Sequence, residues 1–342
     1  MTPQRYAVLD GLRAIAAMAV LLLHLERPGF HMPQAAYTAV DLFFLISGFV
    51  VADAYEGRIA RFGVLAFLRA RVIRLYPMLL AGLLILPAYC LVAFVRHGTS
   101  PATAWQILGS MAASLAMIPS HLPPSRLWHK DLLFPLDGPV WSLMLEMIVN
   151  LAYAAFLPWL SRRVLVVVVV TAGSVLVASQ IALGGVDLGW GWPTAWGGLP
   201  RATFSFFLGV LIFRLKIPRP TLHPVLILAA AMLLFCAPPL ATVLIGYPLV
   251  LIAATKPDRR GAAAMAAMGA LSYPVYVIHF PLLHWIGWLL AGQAPAWASI
   301  PISVAIVLLC ATAALKLWDE PARRWLSRRA PPGWSTGAAA RS

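Results

Sequence analysis

Apolar stretches long enough to cross a bilayer recur along nearly the whole chain, and no other feature limits its fold so tightly. A span needs roughly 17–25 mostly apolar residues. Ten segments meet or approach that length: 10–27, 36–55, 75–95, 139–160, 164–183, 201–215, 221–237, 239–255, 263–290 and 298–317. Hydrocarbon offers backbone N–H and C=O groups no water, and uninterrupted apolar runs of this length satisfy them internally as helices. The expected fold is all-α, a polytopic membrane helical bundle of about ten transmembrane helices. An eleventh apolar stretch, 104–118, is short and ends before Pro119. It reads as re-entrant or interfacial.

Only 11% of residues are charged and 61% are hydrophobic, against about 25% charged in soluble domains. Lipid must therefore replace much of the water around this chain. The net charge of +14 would suggest a nucleic-acid partner in a soluble protein. Here no basic–aromatic module accompanies it. Its bland explanation is stronger, because Lys and Arg gather in cytoplasmic loops and against anionic membrane lipid. No nucleic-acid binding is expected. With the N-terminus inside, the basic clusters Arg58–Arg74, Arg162–Arg163, Arg214–Arg219, Lys256–Arg260 and Lys316–Arg341 all fall on the cytoplasmic side. That arrangement requires that 104–118 not cross, and it puts both termini in the cytoplasm. Residues 1–330 read as a single integral-membrane domain, and 331–342 as a disordered C-terminal tail. Arg13 interrupts the first apolar run, which reads as a retained helix rather than a removed signal. Cys90, Cys236 and Cys310 sit inside apolar runs without paired spacing, so neither a disulfide nor a metal site is expected.

Ionisable groups within spans are costly, about 2.5–3.5 kcal/mol for Arg or Asp at a helix centre, and usually functional. Arg13, His24 and Asp41 stand out first. Arg13 and His24 are eleven residues apart, roughly 16 Å along a helix and on nearly one face. One helix would present a cation near the cytoplasm and an imidazole much deeper. Such a pair suits a phosphate-bearing donor with a long arm, as in coenzyme A; a snorkelling Arg and a packed His give the same spacing. Arg69, Arg71 and Arg74 form an inner cluster before Tyr76-Pro77. Arg71 and Arg74 share a helix face, suited to phosphate or simply to lipid headgroups. Ser142 and Glu146 share a face in an otherwise apolar span, as catalytic partners of a His or as a polar clamp between helices. His279 and His284 lie in a Pro-interrupted span and fit either packing or catalysis.

Taken in order, these residues resemble the integral-membrane acyltransferase 3 family over roughly residues 5–326. The pieces are Leu9-Asp10-Gly11-Leu12-Arg13 with His24, Val40 to Phe44 with Ser47-Gly48-Phe49, and Arg71-x-x-Arg74 with Tyr76-Pro77. Trp141-Ser142-Leu143 with Glu146 follows, then Leu271 to Pro274 with Tyr276 and His279, and last Glu320-Pro321. Each piece alone is weak, whereas the ordered set is specific. Many family members carry a second acid or a Gln after the Glu, where this chain has Met147 and Ile148.

The resemblance implies a membrane-embedded O-acyltransferase of the bacterial inner (cytoplasmic) membrane. Its donor would be acyl-CoA, acetyl-CoA above all, used as a substrate, with no permanently bound cofactor. Its acceptor would be a hydroxyl of a saccharide or glycolipid. It assigns catalysis to His24, with Glu146 and Ser142 beside it, and donor phosphates to Arg13, Arg71 and Arg74, with Arg69 nearby. Glu146 is expected to hold the imidazole tautomer and offset its charge. The competing class is a transporter or flippase for an anionic or lipid-linked substrate, which ten spans and buried charges also fit. The lack of two-half symmetry in the sequence speaks against it.

Overall fold

The computed structural model describes residues 6–25, 30–98, 100, 102–123, 130–218, 220–256, 260–290 and 295–328. The expected tail, 331–342, lies outside them. Among the described residues the chain is helical, with isolated bridges such as Leu132 to Gly191 in place of any strand. The helices are α1 (Ala7–Leu23), α2 (Ala39–Phe62), α3 (Val64–His97), α4 (Ala104–Leu115), α5 (Val140–Phe156), α6 (Arg162–Leu183) and α7 (Ala195–Leu215). They continue as α8 (Pro224–Leu234), α9 (Pro239–Ala241), α10 (Tyr247–Ala254), α11 (Ala262–Leu289), α12 (Ala296–Ala314) and α13 (Glu320–Arg328). Each of the ten expected spans coincides with one helix or one run of joined helices. Seven of these are long and apolar enough to cross a membrane. The chain is a multi-pass membrane protein. Leu91, Val95, Val167, Ile181, Leu233 and Leu309 are exposed, which in hydrocarbon is the favourable face.

Two boundaries differ from the expectation. Helix α3 begins at Val64, about three turns before the apolar run at 75. Its first part is rich in Leu, Arg and Ala, which are strong helix formers. Gly63, at φ +83°, makes the break from α2. Arg69, Arg71 and Arg74 are therefore helical residues, not loop residues. Helix α1 ends at Leu23, ahead of Pro28 and Gly29, which stop helices. His24 is thus its C-terminal cap, not an interior residue.

Backbone approaches fix which helices run side by side. A Cβ at Gly48 would meet the Phe206 carbonyl oxygen at 1.9 Å, and one at Gly209 would meet the Leu45 carbonyl oxygen at 2.1 Å. Helices α2 and α7 therefore touch main chain to main chain, as small residues permit. Asp41 and Arg201 pair farther back along the same two helices. The order Asp41, Gly48 on α2 against Arg201, Phe206 on α7 makes them parallel. Parallel helices need an even number of crossings between their starts. Helices α2, α3, α5 and α6 supply four, so α4 does not cross. Its twelve residues extend only about 18 Å against a hydrocarbon core of about 30 Å. A capping box between Thr103 and Gln106 closes its N-terminus. The re-entrant or interfacial reading of 104–118 is the one this geometry requires.

Asp41 and Arg201 form a fully buried ion pair, with both side chains 1% exposed. Arg201 Nε donates to both Asp41 oxygens at 3.0 Å, and a terminal nitrogen donates to Oδ2 at 2.8 Å. The remaining N–H groups reach Asp187, the Leu188 carbonyl and the Tyr37 carbonyl. All five guanidinium donors are used, and the Tyr37 and Trp141 rings lie 5.3 and 5.6 Å from the cation. This accounts for Asp41 structurally. Breaking a buried pair by removing one partner costs about 3–5 kcal/mol. Asp41→Ala should accordingly lower the melting temperature in detergent sharply, and an unchanged melting curve would show that the pair bears no load.

Candidate active site

Helices α1 and α11 pack so closely that a Cβ on Gly269 would meet Asp10 Cβ at 2.5 Å and Asp10 Cα at 2.8 Å. Beyond that contact the two helices run in the same direction and bring His24 against His279. His279 Nε2 lies 3.4 Å from His24 Nδ1, with ring centroids 5.0 Å apart. Phe280 meets His24 edge to face at 5.5 Å. His279 is fully buried, while His24 is exposed.

The hydrogen bonds decide the tautomers. His279 Nδ1 faces the carbonyls of Val275 and Tyr276 at 3.0 and 2.8 Å. Both are acceptors, so Nδ1 carries the proton and Nε2 the lone pair. His24 Nδ1 faces two acceptors in turn, the Val20 carbonyl at 2.8 Å and His279 Nε2. It must be protonated as well, which places the basic lone pair of His24 on Nε2. An imidazole held in this form is suited to accept a proton from a hydroxyl near neutral pH.

Two loops cap this end of the bundle. Gly138, just before α5, faces the Phe280 ring, which a Cβ would meet at 3.2 Å. Ser120 N–H donates to the Leu133 carbonyl, Leu133 N–H to Trp190, and Trp192 N–H to Asp131. His121 stacks on Trp192 at 4.2 Å. This gives the loop before α5 and the loop between α6 and α7 one shared backbone seam.

The other end of α1 carries the guanidinium cluster. Arg13 is half-buried and within electrostatic reach of Asp10, Glu146 and Arg71. Arg74 senses Arg13, Arg71 and Arg323. Arg71 is 5% exposed and donates to Glu146 Oε1, which also accepts from Ser47 Oγ at 2.9 Å. Helices α2, α3 and α5 are thereby joined through one carboxylate. This corrects the expected partnership: Glu146 Oε1 serves Arg71 and Ser47, while His24 takes its tautomer from Val20 and His279. Arg69 is exposed, about 200° around the helix from Arg71. It does not join Arg71 and Arg74. Ser142 is 4% exposed and donates to the Pro139 carbonyl at 3.0 Å. It therefore accepts from Tyr276 Oη at 2.6 Å. Its proton is committed to a carbonyl, and its oxygen holds Tyr276.

Asp137 was not among the residues that the sequence singled out. It is fully buried, and neither carboxyl oxygen has a hydrogen-bond partner among the described residues. Oδ2 lies 3.1 Å from where a Gly82 Cβ would stand, beside Val277. No spacing signal could have found it, because burial of a loop residue depends on the packing of α3 and α11. Burial pushes its pKa well above the usual carboxylate value, so the neutral acid is favoured. Its stabilising contribution is complete below the ordinary carboxylate range near 4 and is lost as pH rises towards the raised value. Asp137→Asn, which keeps the neutral shape, should raise the melting temperature at about pH 8 more than at about pH 5. An equal shift at both would mean that the carboxyl titrates normally.

The profile of the acyltransferase 3 domain matches residues 6–316. The chain belongs to the acyltransferase 3 family. Relatives of this acyltransferase include the acyltransferase MdmB of Streptomyces mycarofaciens, 25% identical over an alignment of 377 positions covering 96% of this chain and 94% of that one. Protein 2 in the picA locus of Rhizobium radiobacter is 37% identical over 158 residues, 44% of this chain and 82% of its own. The putative membrane-bound transacylase BcsY of Komagataeibacter xylinus is 26% identical, covering 80% and 72%. No solved structure matches the chain.

Proposed function

We propose that this acyltransferase moves an acetyl group from acetyl-CoA to a hydroxyl of a saccharide, glycolipid or similar acceptor, with His24 as general base. The observation that carries the reading is the tautomer of His24, whose basic Nε2 is set by two acceptors on Nδ1. In the proposed step His24 Nε2 takes the hydroxyl proton as the oxygen attacks the thioester carbonyl. The carbon–sulfur bond then breaks, and the departing thiolate recovers the proton from the imidazolium. The phosphates of the donor rest on Arg13, Arg71 and Arg74, and its arm covers the roughly 16 Å along α1 to His24. Glu146 acts by holding Arg71, and Ser142 by holding Tyr276. We place the guanidinium end in the cytoplasm of a bacterial inner membrane, where acetyl-CoA is made. The names of the relatives support acyl transfer in general: one is an acyltransferase and another a putative membrane-bound transacylase.

The test uses membranes containing the protein, radiolabelled acetyl-CoA and an extract of cell-surface glycans. His24→Ala should lower transfer by about 10²–10⁴-fold, the range of a positioned base, while the protein still inserts. Near-normal transfer by that variant would refute the assignment. Arg71→Ala and Arg74→Ala should each raise the apparent KM for acetyl-CoA more than they lower kcat. An unchanged KM in both would remove the phosphate site.

A further inference from the structure

The last spanning helix continues through a π-helical stretch into α13, which lies beside the guanidinium cluster. After α12 the chain makes a π turn, Leu315–Asp319, and enters α13. Trp318 Nε1 donates to the Pro77 carbonyl at 2.6 Å, which pins that turn to α3 within one turn of Arg74. Asp319, 1% exposed, pairs with Arg323 at 2.7 Å. Arg323 and Arg74 lie within electrostatic reach of each other. Arginines from α1, α3 and α13 thus meet in one place.

Two of these arginines are incompletely satisfied. The Nε of Arg71 and the Nε of Arg323 are both buried and have no hydrogen-bond partner among the described residues. A buried charged donor left without an acceptor is costly, and two of them around a gathering of like charges call for an anion. Phosphate oxygens are the matching acceptors, since guanidinium and phosphate pair through parallel hydrogen bonds.

We propose that Arg323 is a further ligand for the phosphate groups of the acyl donor, held ready by Asp319. The inference rests on the donor reading above and extends its site to a helix beyond residue 316, where the family match ends. It makes α13, a basic helix, part of the donor site. The same phosphate chemistry is offered by lipid headgroups, so the experiment has to separate the two sources.

The experiment compares wild type, Arg323→Gln and Asp319→Asn in nanodiscs of phosphatidylcholine, with and without phosphatidylglycerol. The donors are acetyl-CoA and S-acetylpantetheine, which lacks every phosphate. Arg323→Gln should raise the apparent KM for acetyl-CoA by about tenfold or more and leave that for S-acetylpantetheine unchanged, in phosphatidylcholine alone. Asp319→Asn, which releases Arg323 from its carboxylate, should use acetyl-CoA with a KM equal to or below that of wild type. If both variants lose acetyl-CoA affinity alike, the pair is a structural brace and the proposal is wrong. A defect that appears only with phosphatidylglycerol would assign Arg323 to lipid headgroups and overturn it too. If Arg323→Gln matches wild type while Arg71→Ala does not, Arg323 is excluded and the donor site stands. If wild type itself does not use acetyl-CoA, the donor reading falls and Arg323 falls with it.

Discussion

The arrangement at both ends of the first helix depends on one main-chain contact, that between Asp10 and Gly269. Without a side chain at residue 269, α1 can lie directly against α11. Any larger residue would push the two axes apart at that point. Because the helices run the same way from there, the separation would carry up to His24 and His279, where a gap of 3.4 Å leaves no room for it. In hydrocarbon the approach cannot be driven by expulsion of water, so close packing of this kind is what holds helices together. The tautomer of His24 is therefore a consequence of backbone proximity some twenty ångströms away along α1.

Charge is handled in two different ways within the same bundle. Arg201 is saturated: all five of its N–H groups are used and two aromatic rings lie within 6 Å of its cation. Such a group holds helices together and has nothing left to offer a ligand. Arg71 has a carboxylate on one side and an unsatisfied donor on the other. The contrast between a completed cation and an incomplete one separates scaffold from site more clearly than burial does, since both residues are buried.

Much of this was legible in the order of residues. Twenty-residue apolar runs announce their own helices, because a bilayer leaves the backbone no alternative. The eleven-residue interval from Arg13 to His24 pointed to one helix; α1 carries Arg13 in its interior and ends at His24, its C-terminal cap. Partners were harder to read. Glu146 was expected beside His24, yet lies with Arg71 and Ser47, since which of several buried polar groups meet depends on tilts that no local pattern records. Asp41 was visible as a costly residue, but its counter-charge sits 160 residues away. The early start of α3 was missed because hydropathy marks where lipid begins, whereas a helix may start well before that among Arg and Ala. Asp137 was invisible for a related reason: an acid in a loop looks solvated until two helices close over it.

The brevity of α4 has a genetic corollary. Most surface segments of a protein tolerate added length, paying only in loop entropy. This one should not. A few extra apolar turns would let it reach the far leaflet, and everything downstream would then thread the membrane upside down. The imidazoles carried by α1 and α11 would face opposite compartments, although neither helix had changed by a single residue. Insertions within this helix are therefore expected to be purged as strictly as changes to the reacting groups themselves.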